Sequence, residues 1–174
     1  DPSMQFLISR TGRPFPMYRA SSSWIPGTSF SEIATFRAGT KRVHVTRIWV
    51  SVSQSANGLV VFRIYRKTAD NVGGTSSNVV PCKHEYSDAN PTAFLRAYTV
   101  HPDSVGTEDG TIRATPILIS GGGTQIGPME WSFVPETPEG IVWAPGEMLG
   151  LRAGNMDPTG TFYCTVEWCE NPDV

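Results

Sequence analysis

The residues most able to do chemistry fall in two short clusters. His101-Pro102-Asp103-Ser104 sets an imidazole, a carboxylate and a hydroxyl side by side, the three groups of a hydrolytic triad. A triad is a convergence in space, however, and residues adjacent in a chain rarely face one another. Nor does a Gly-x-Ser-x-Gly elbow raise a nucleophile above a sheet. The stretch reads instead as a turn, since Pro, Asp and Ser all favour one. The second cluster, His84-Glu85 with Asp88 and with Cys82 nearby, offers metal-ligating types. Its spacing matches no established site, and Cys82 has no second thiol beside it. Gly121-Gly122-Gly123 precedes Thr124-Gln125-Ile126-Gly127, which is neither a dinucleotide fingerprint nor a Walker loop. The sequence therefore predicts no catalytic residue, no metal and no cofactor, and a protein that is not an enzyme.

What remains is contact chemistry. Among the five tryptophans, Trp131 and Trp168 read as core, whereas Trp24 and Trp49 are the candidates for partner contact. Residues 1–28 form an irregular N-terminal arm by this reading, broken by Pro14, Pro16 and Pro26. Asp1-Pro2-Ser3 ahead of Met4 reads as an appended remnant. The arm holds no acid between Met4 and Ser31 and carries Arg10, Arg13 and Arg19 with Phe6, Phe15, Tyr18 and Trp24. Arginine and aromatic residues are favoured at binding hot spots, so these seven are the predicted partner-binding set. A rival account is that the arm adds a first strand to its own sheet, with Phe6 and Ile8 facing inward.

The elements that position these residues are strands. Gly 17 and Pro 14 exceed average usage and punctuate short apolar runs, as a many-turned β fold requires. Strands are predicted over 29–36, 94–100, 112–119, 129–133, 141–143, 148–152 and 161–168. Pro116 places its strand at an edge or a bulge. Ile48, Val50 and Val52 share one strand face, as do Val60, Phe62 and Ile64, and Asn57-Gly58 between them predicts a hairpin. The opposite faces of that hairpin carry Trp49, Val61 and Tyr65, an unused apolar set that predicts an oligomer interface. Residues 68–88 read as a long polar loop with one short extended piece. The whole predicts an all-β chain: a single antiparallel, jelly-roll-like β-sandwich over 29–174 behind the arm.

Composition narrows the setting. Charged residues make up 17% of the chain, against a typical value of about 25%, which suggests a surface covered by something. Residues 2–113 hold 13 Lys/Arg against 7 Asp/Glu, and residues 114–174 hold 1 against 8. Strands from the two halves can interleave and neutralise each other; a dipolar surface that orients a partner is the sharper possibility. No concentrated basic stripe points to nucleic acid, and no apolar run approaches a membrane span. Cys164 and Cys169 lie five apart in one strand and point to opposite faces, so they cannot bridge. Three reduced thiols are expected, with Cys164 buried beside Phe162 and Val166.

One resemblance is carried by the series Arg47-Ile48-Trp49-Val50-Ser51-Val52, Phe62-Arg63-Ile64-Tyr65-Arg66-Lys67-Thr68, Gly74-Thr75-Ser76, Pro81 with the acidic turn at Asp88, Trp143-Ala144-Pro145-Gly146-Glu147-Met148-Leu149-Gly150-Leu151 and Val166-Glu167-Trp168. It resembles small jelly-roll proteins of tailed bacteriophages, capsid decoration or cement proteins among them, over roughly residues 30–170. That resemblance implies a homotrimeric virion component seated on the major capsid protein and assembled in the host bacterial cytoplasm. A receptor- or carbohydrate-binding module of a phage fibre is the alternative.

Overall fold

A computed structural model describes residues 15–24, 31–53, 57–119, 126–132, 141–154 and 160–171. They form twelve strands: β1 (Met17–Trp24), β2 (Ser31–Arg37), β3 (Arg42–Ser53), β4 (Gly58–Lys67), β5 (Thr75–Val79), β6 (Cys82–Lys83), β7 (Phe94–Val100), β8 (Glu108–Ile119), β9 (Ile126–Ser132), β10 (Val142–Trp143), β11 (Met148–Gly154) and β12 (Thr161–Asn171). One sheet runs β10-β3-β12-β1-β6, with β9 also paired to β3; the other runs β5-β7-β2-β11-β4-β8. All pairs are antiparallel. Successive strands β1 to β4 alternate between the sheets, and the first strand lies beside the last. That is the jelly-roll manner of closing a sandwich.

The predicted apolar faces hold, but the predicted hairpin does not. Ile48, Val50 and Val52 are buried, and so are Val60, Phe62 and Ile64. Yet β3 and β4 lie in different sheets and face each other across the core. Gly58, expected to close the turn, begins β4 and pairs with Ile119. Period-two alternation fixes which side of a strand meets the core, not which strand lies alongside it.

The core is bound by aromatic contacts between layers. Phe62 of β4 stacks on Phe162 of β12 at 5.0 Å and on Trp131 of β9 at 4.8 Å. Phe36 of β2 meets the edge of Trp168 at 5.1 Å. Cys164 is buried in this layer, and Cys169 is buried on the opposite side of the same strand. Pro116 does sit on an edge strand, β8, where one side of the ladder needs no donor. At Ala144-Pro145-Gly146-Glu147 the Glu147 amide donates to the Ala144 carbonyl (3.1 Å), and Gly146 takes φ 81°, as a proline-led turn of type II requires.

The arm is the main correction. Met17–Trp24 is not an irregular segment but strand β1, paired with β12 along its whole length. The rival account was right in kind, although the strand is 17–24; Phe6 and Ile8 lie outside the described residues. Residues 68–88 hold two short strands, β5 and β6, where one extended piece was expected. The charge asymmetry resolves as interleaving, because Arg19–Glu167, Arg47–Glu130, Arg66–Glu147 and Lys41–Glu170 each join a first-half cation to a second-half anion.

Candidate functional site: the outer faces of the two sheets

The outer face of the first sheet is open, and its register lays the side chains out in rows. Arg47, Glu167 and Arg19 stand opposite one another on β3, β12 and β1. The next row sets Glu130, Trp49, Thr165 and Ser21 side by side. Trp49 is the centre of the arrangement. Two guanidinium groups lie over its ring, Arg19 at 5.1 Å and Arg47 at 5.9 Å, and its Nε1 donates to Glu130 Oε2 at 3.1 Å. Arg19 reaches on to Glu167 (2.8 Å), which His84 approaches at 3.4 Å. Beside Trp49, a shallow recess of about 110 Å³ is lined also by Val50, Ser51, Tyr163 and Thr165. Tyr163 is 43% exposed. A rigid sheet thus presents flat aromatic surface among hydroxyls and fixed charges, which suits stacking and hydrogen bonding to a partner.

The predicted partner-binding set does not stay together. Phe6, Arg10 and Arg13 lie outside the described residues. Phe15 is half-buried beside a second depression of about 200 Å³, shared with Met17, His84, Glu85 and Asp88. Arg19 is on the open face as described. Trp24 ends β1 opposite Phe162, and its side chain lies outside the described set. Tyr18 is corrected outright: it is fully buried against Trp168, and its hydroxyl donates to the Ala89 carbonyl at 3.0 Å. Burial, followed by the nearby Glu170 and Asp88 carboxylates, pushes its pKa up to about 12. The predicted interface of Trp49, Val61 and Tyr65 is also corrected. Trp49 lies on the first sheet, Val61 and Tyr65 lie on the second, and Tyr65 is fully buried.

Tyr65 is buried beneath the guanidinium groups of Arg63 and Arg152, 5.3 and 4.6 Å from its ring, and beside it the outer face of the second sheet has a roof. The loops 68–74 and 101–107 cross it, joined by paired amides of Val72 and Ser104 (2.9 and 3.1 Å) and by Thr68 to Thr107 (3.0 Å). Beneath them Glu32 of β2 and Lys67 of β4 form an ion pair at 2.8 Å, both side chains without solvent exposure. The irregular register of β2 against β11 lies next to Glu32, at the point where it pairs with Arg152. Glu32 accepts further bonds from Thr35 Oγ1 (2.6 Å), the Tyr65 hydroxyl and Asn71 Nδ2 (2.9 Å). Lys67 also donates to Asn71 Oδ1, which receives the Gly106 amide at 3.0 Å, while Asn71 Nδ2 donates to the Tyr98 hydroxyl at 2.9 Å. Burial, then the Glu32 carboxylate, holds the Tyr65 phenol protonated far above its ordinary range. Gly150 makes room for this layer, since a Cβ there would run into the Tyr65 ring.

The two clusters read from the sequence do not become catalytic centres. His101 turns its Nδ1 to the Glu32 backbone carbonyl at 3.3 Å, whereas Asp103 and Ser104 are exposed. His84, Glu85 and Asp88 do share a depression, but among the described residues no group of three His, Cys, Asp or Glu is arranged to hold a metal ion. Sequence reasoning missed Glu32, Lys67, Asn71, Tyr98 and Gly106 as members of one cluster. One signal was legible: an acid opens the run Glu32-Ile33-Ala34-Thr35-Phe36, where burial of a lone carboxylate demands a partner. No protein-family model matches the chain, and no curated protein matches it.

Proposed function

We propose that this protein is a non-catalytic structural component of a tailed-bacteriophage particle, a decoration protein that binds the capsid lattice and stabilises it. The observation that carries the reading is the open face around Trp49. There a tryptophan and two arginines, the residue types that dominate binding hot spots, stand exposed or half-exposed on a rigid sheet. The roofed face, by contrast, directs its polar groups at one another. Assembly as a closed homotrimer would present several copies of the open face at once and limit further growth. Co-sedimentation of the purified protein with capsids that lack it is the test. Wild-type protein should pellet with the particles, and Trp49→Ala should remain in the supernatant. Equal pelleting of both would sink the assignment of this face, and failure of the wild type to pellet would sink the decoration role.

A second reading is favoured by the recess beside Trp49, where Tyr163 adds a second aromatic face and Ser51 and Thr165 add hydroxyls. Stacking residues flanked by hydroxyls also suit a sugar ring, as a receptor-binding module of a fibre would require. Retention on a glycan array, abolished by Trp49→Ala, would favour it over decoration.

A further inference from the structure

The roofed cluster contains three groups that can react with one another, and this observation is independent of the binding role proposed above. Lys67 Nζ donates to the side-chain carbonyl oxygen of Asn71, so the amine lies against the carboxamide it could attack. The same carboxylate oxygen, Glu32 Oε1, stands 2.8 Å from Lys67 Nζ and 2.9 Å from Asn71 Nδ2. It therefore touches both the atom that must lose a proton and the atom that must gain one. The Gly106 amide donates to Asn71 Oδ1 at 3.0 Å, where negative charge would develop during attack. Gly106 reaches this position only because it lacks a side chain, since a Cβ would collide with the Ala69 carbonyl.

We propose that Lys67 and Asn71 become joined by an isopeptide bond that the folded protein forms by itself, with Glu32 as the proton shuttle. Lys67 passes a proton to Glu32 and attacks Asn71 Cγ as a neutral amine. The Nζ–Cγ bond forms, and the Gly106 amide stabilises the resulting oxyanion. Glu32 hands that proton to Nδ2, takes the second proton that Nζ must shed, and ends as a neutral carboxylic acid as the carbonyl re-forms. The Cγ–Nδ2 bond then breaks and ammonia leaves. No oxidant, metal or cofactor enters the balance.

The surroundings favour this course. The roof keeps bulk water away, so the intermediate has the lysine rather than a hydroxide as its nucleophile. The amine and carboxamide are fixed by the same fold that brings the acid, which replaces an encounter in solution with a held geometry. The reaction also converts a buried ammonium–carboxylate pair into a neutral amide beside a neutral carboxylic acid, which removes the desolvation penalty of a buried ion pair.

Intact-mass spectrometry of the folded full-length protein tests the proposal. The wild type should weigh less than its sequence by one ammonia, and Glu32→Gln should weigh its full sequence mass. Trypsin should fail to cut between Lys67 and Thr68 in the wild type, and tandem spectra of that peptide should show Lys67 joined to Asn71. Asn71→Ala restores cleavage and mass, and supplies the control if Glu32→Gln does not fold. A succinimide at Asn71 also loses ammonia, but it leaves Lys67 cleavable and shows no joined fragment. Wild-type protein at its full sequence mass, or a loss traced to a succinimide, overturns the proposal.

Discussion

The outer faces of the two sheets begin from the same alternating pattern and end as opposite environments. On the first sheet, Arg19, Arg47 and Trp49 meet solvent, and the Arg47–Glu130 pair lies at the surface, where such a pair contributes about 0–1 kcal/mol. On the second, Tyr65 and Lys67 occupy equivalent outward positions on β4 but are buried, Tyr65 under Arg63 and Arg152 and Lys67 against Glu32 and Asn71 of the roof. A roof turns the same residue types into interior ones. Charges there must be fully partnered or the fold cannot tolerate them. Exposure of a strand face is thus decided by what covers it, not by the strand.

The largest loss of stability should come from Lys67→Met. Where Lys67 is not joined to Asn71, the substitution leaves the Glu32 carboxylate buried without its cation, a change that typically costs about 3–5 kcal/mol. For a chain of this size the melting temperature should fall by roughly 10 °C or more. Replacing both partners, Glu32→Leu with Lys67→Met, should recover part of the loss, because no lone charge then remains. Calorimetry or denaturant titration would show it. A single substitution as mild as a surface one would mean that the roof opens to water.

Crowding on the roofed face offers a somewhat smaller effect. Gly150→Ala pushes a methyl group into the Tyr65 ring, and overpacking of this kind costs about 1–3 kcal/mol. The added Tyr65→Ala should relieve the clash, so the double variant should be destabilised by less than the sum of the two singles. Strict additivity in a thermal-melt cycle would show that the ring does not rest on β11.

Much of the fold was legible, and the limits are physical. Alternation placed Ile48, Val50, Val52, Val60, Phe62 and Ile64 in the core correctly, since burial acts on each strand face alone. It could not say that β3 and β4 sit on opposite layers, because Asn57-Gly58 suits a sharp turn whichever strand follows. The arm was misjudged because Pro14, Pro16 and Pro26 flank β1, and Ser21-Ser22-Ser23 ends the apolar alternation after the inward pair Tyr18 and Ala20. The candidate sites were less legible still. Trp49 could be singled out as a large apolar residue on a polar face. Glu32, Lys67, Asn71 and Gly106 are far apart in sequence or ordinary in spacing, and only the tertiary fold brings them together.

Alkaline pH separates the buried groups from the surface in another way. Burial raises the Cys169 thiol from 9.0 to about 11, and Tyr18 rises from 10.0 to about 12. Below pH 9.0 both folded and unfolded chains keep these protons, and the full stability is present. As pH rises further, the unfolded chain ionises first, so stability falls progressively until the folded-state values are passed. Urea midpoints measured from pH 8 to 11 should decline, and Cys169→Ala should flatten the first part of that decline. A flat profile would mean that neither group is held away from solvent.

The smallest expected change in stability, and the most informative about function, is Trp49→Ala. The ring lies on the outside of the first sheet, half-buried by Arg19 and Arg47 rather than by the core. Its removal should shift unfolding by no more than about 1 kcal/mol, the usual range for a substitution away from packed interior. Binding is a different matter. A hot-spot tryptophan is typically worth 2 kcal/mol or more, so affinity for the particle should fall on the order of 30-fold while the melting temperature barely moves. Arg47→Ala should weaken binding less, and added salt should weaken the wild type as well, because part of the contact is between charges. The two readouts must separate if the open face is for binding and the roofed face for holding the fold. A Trp49→Ala protein that melts as early as Lys67→Met would show that Trp49 serves the fold, and the distinction between the two faces would collapse.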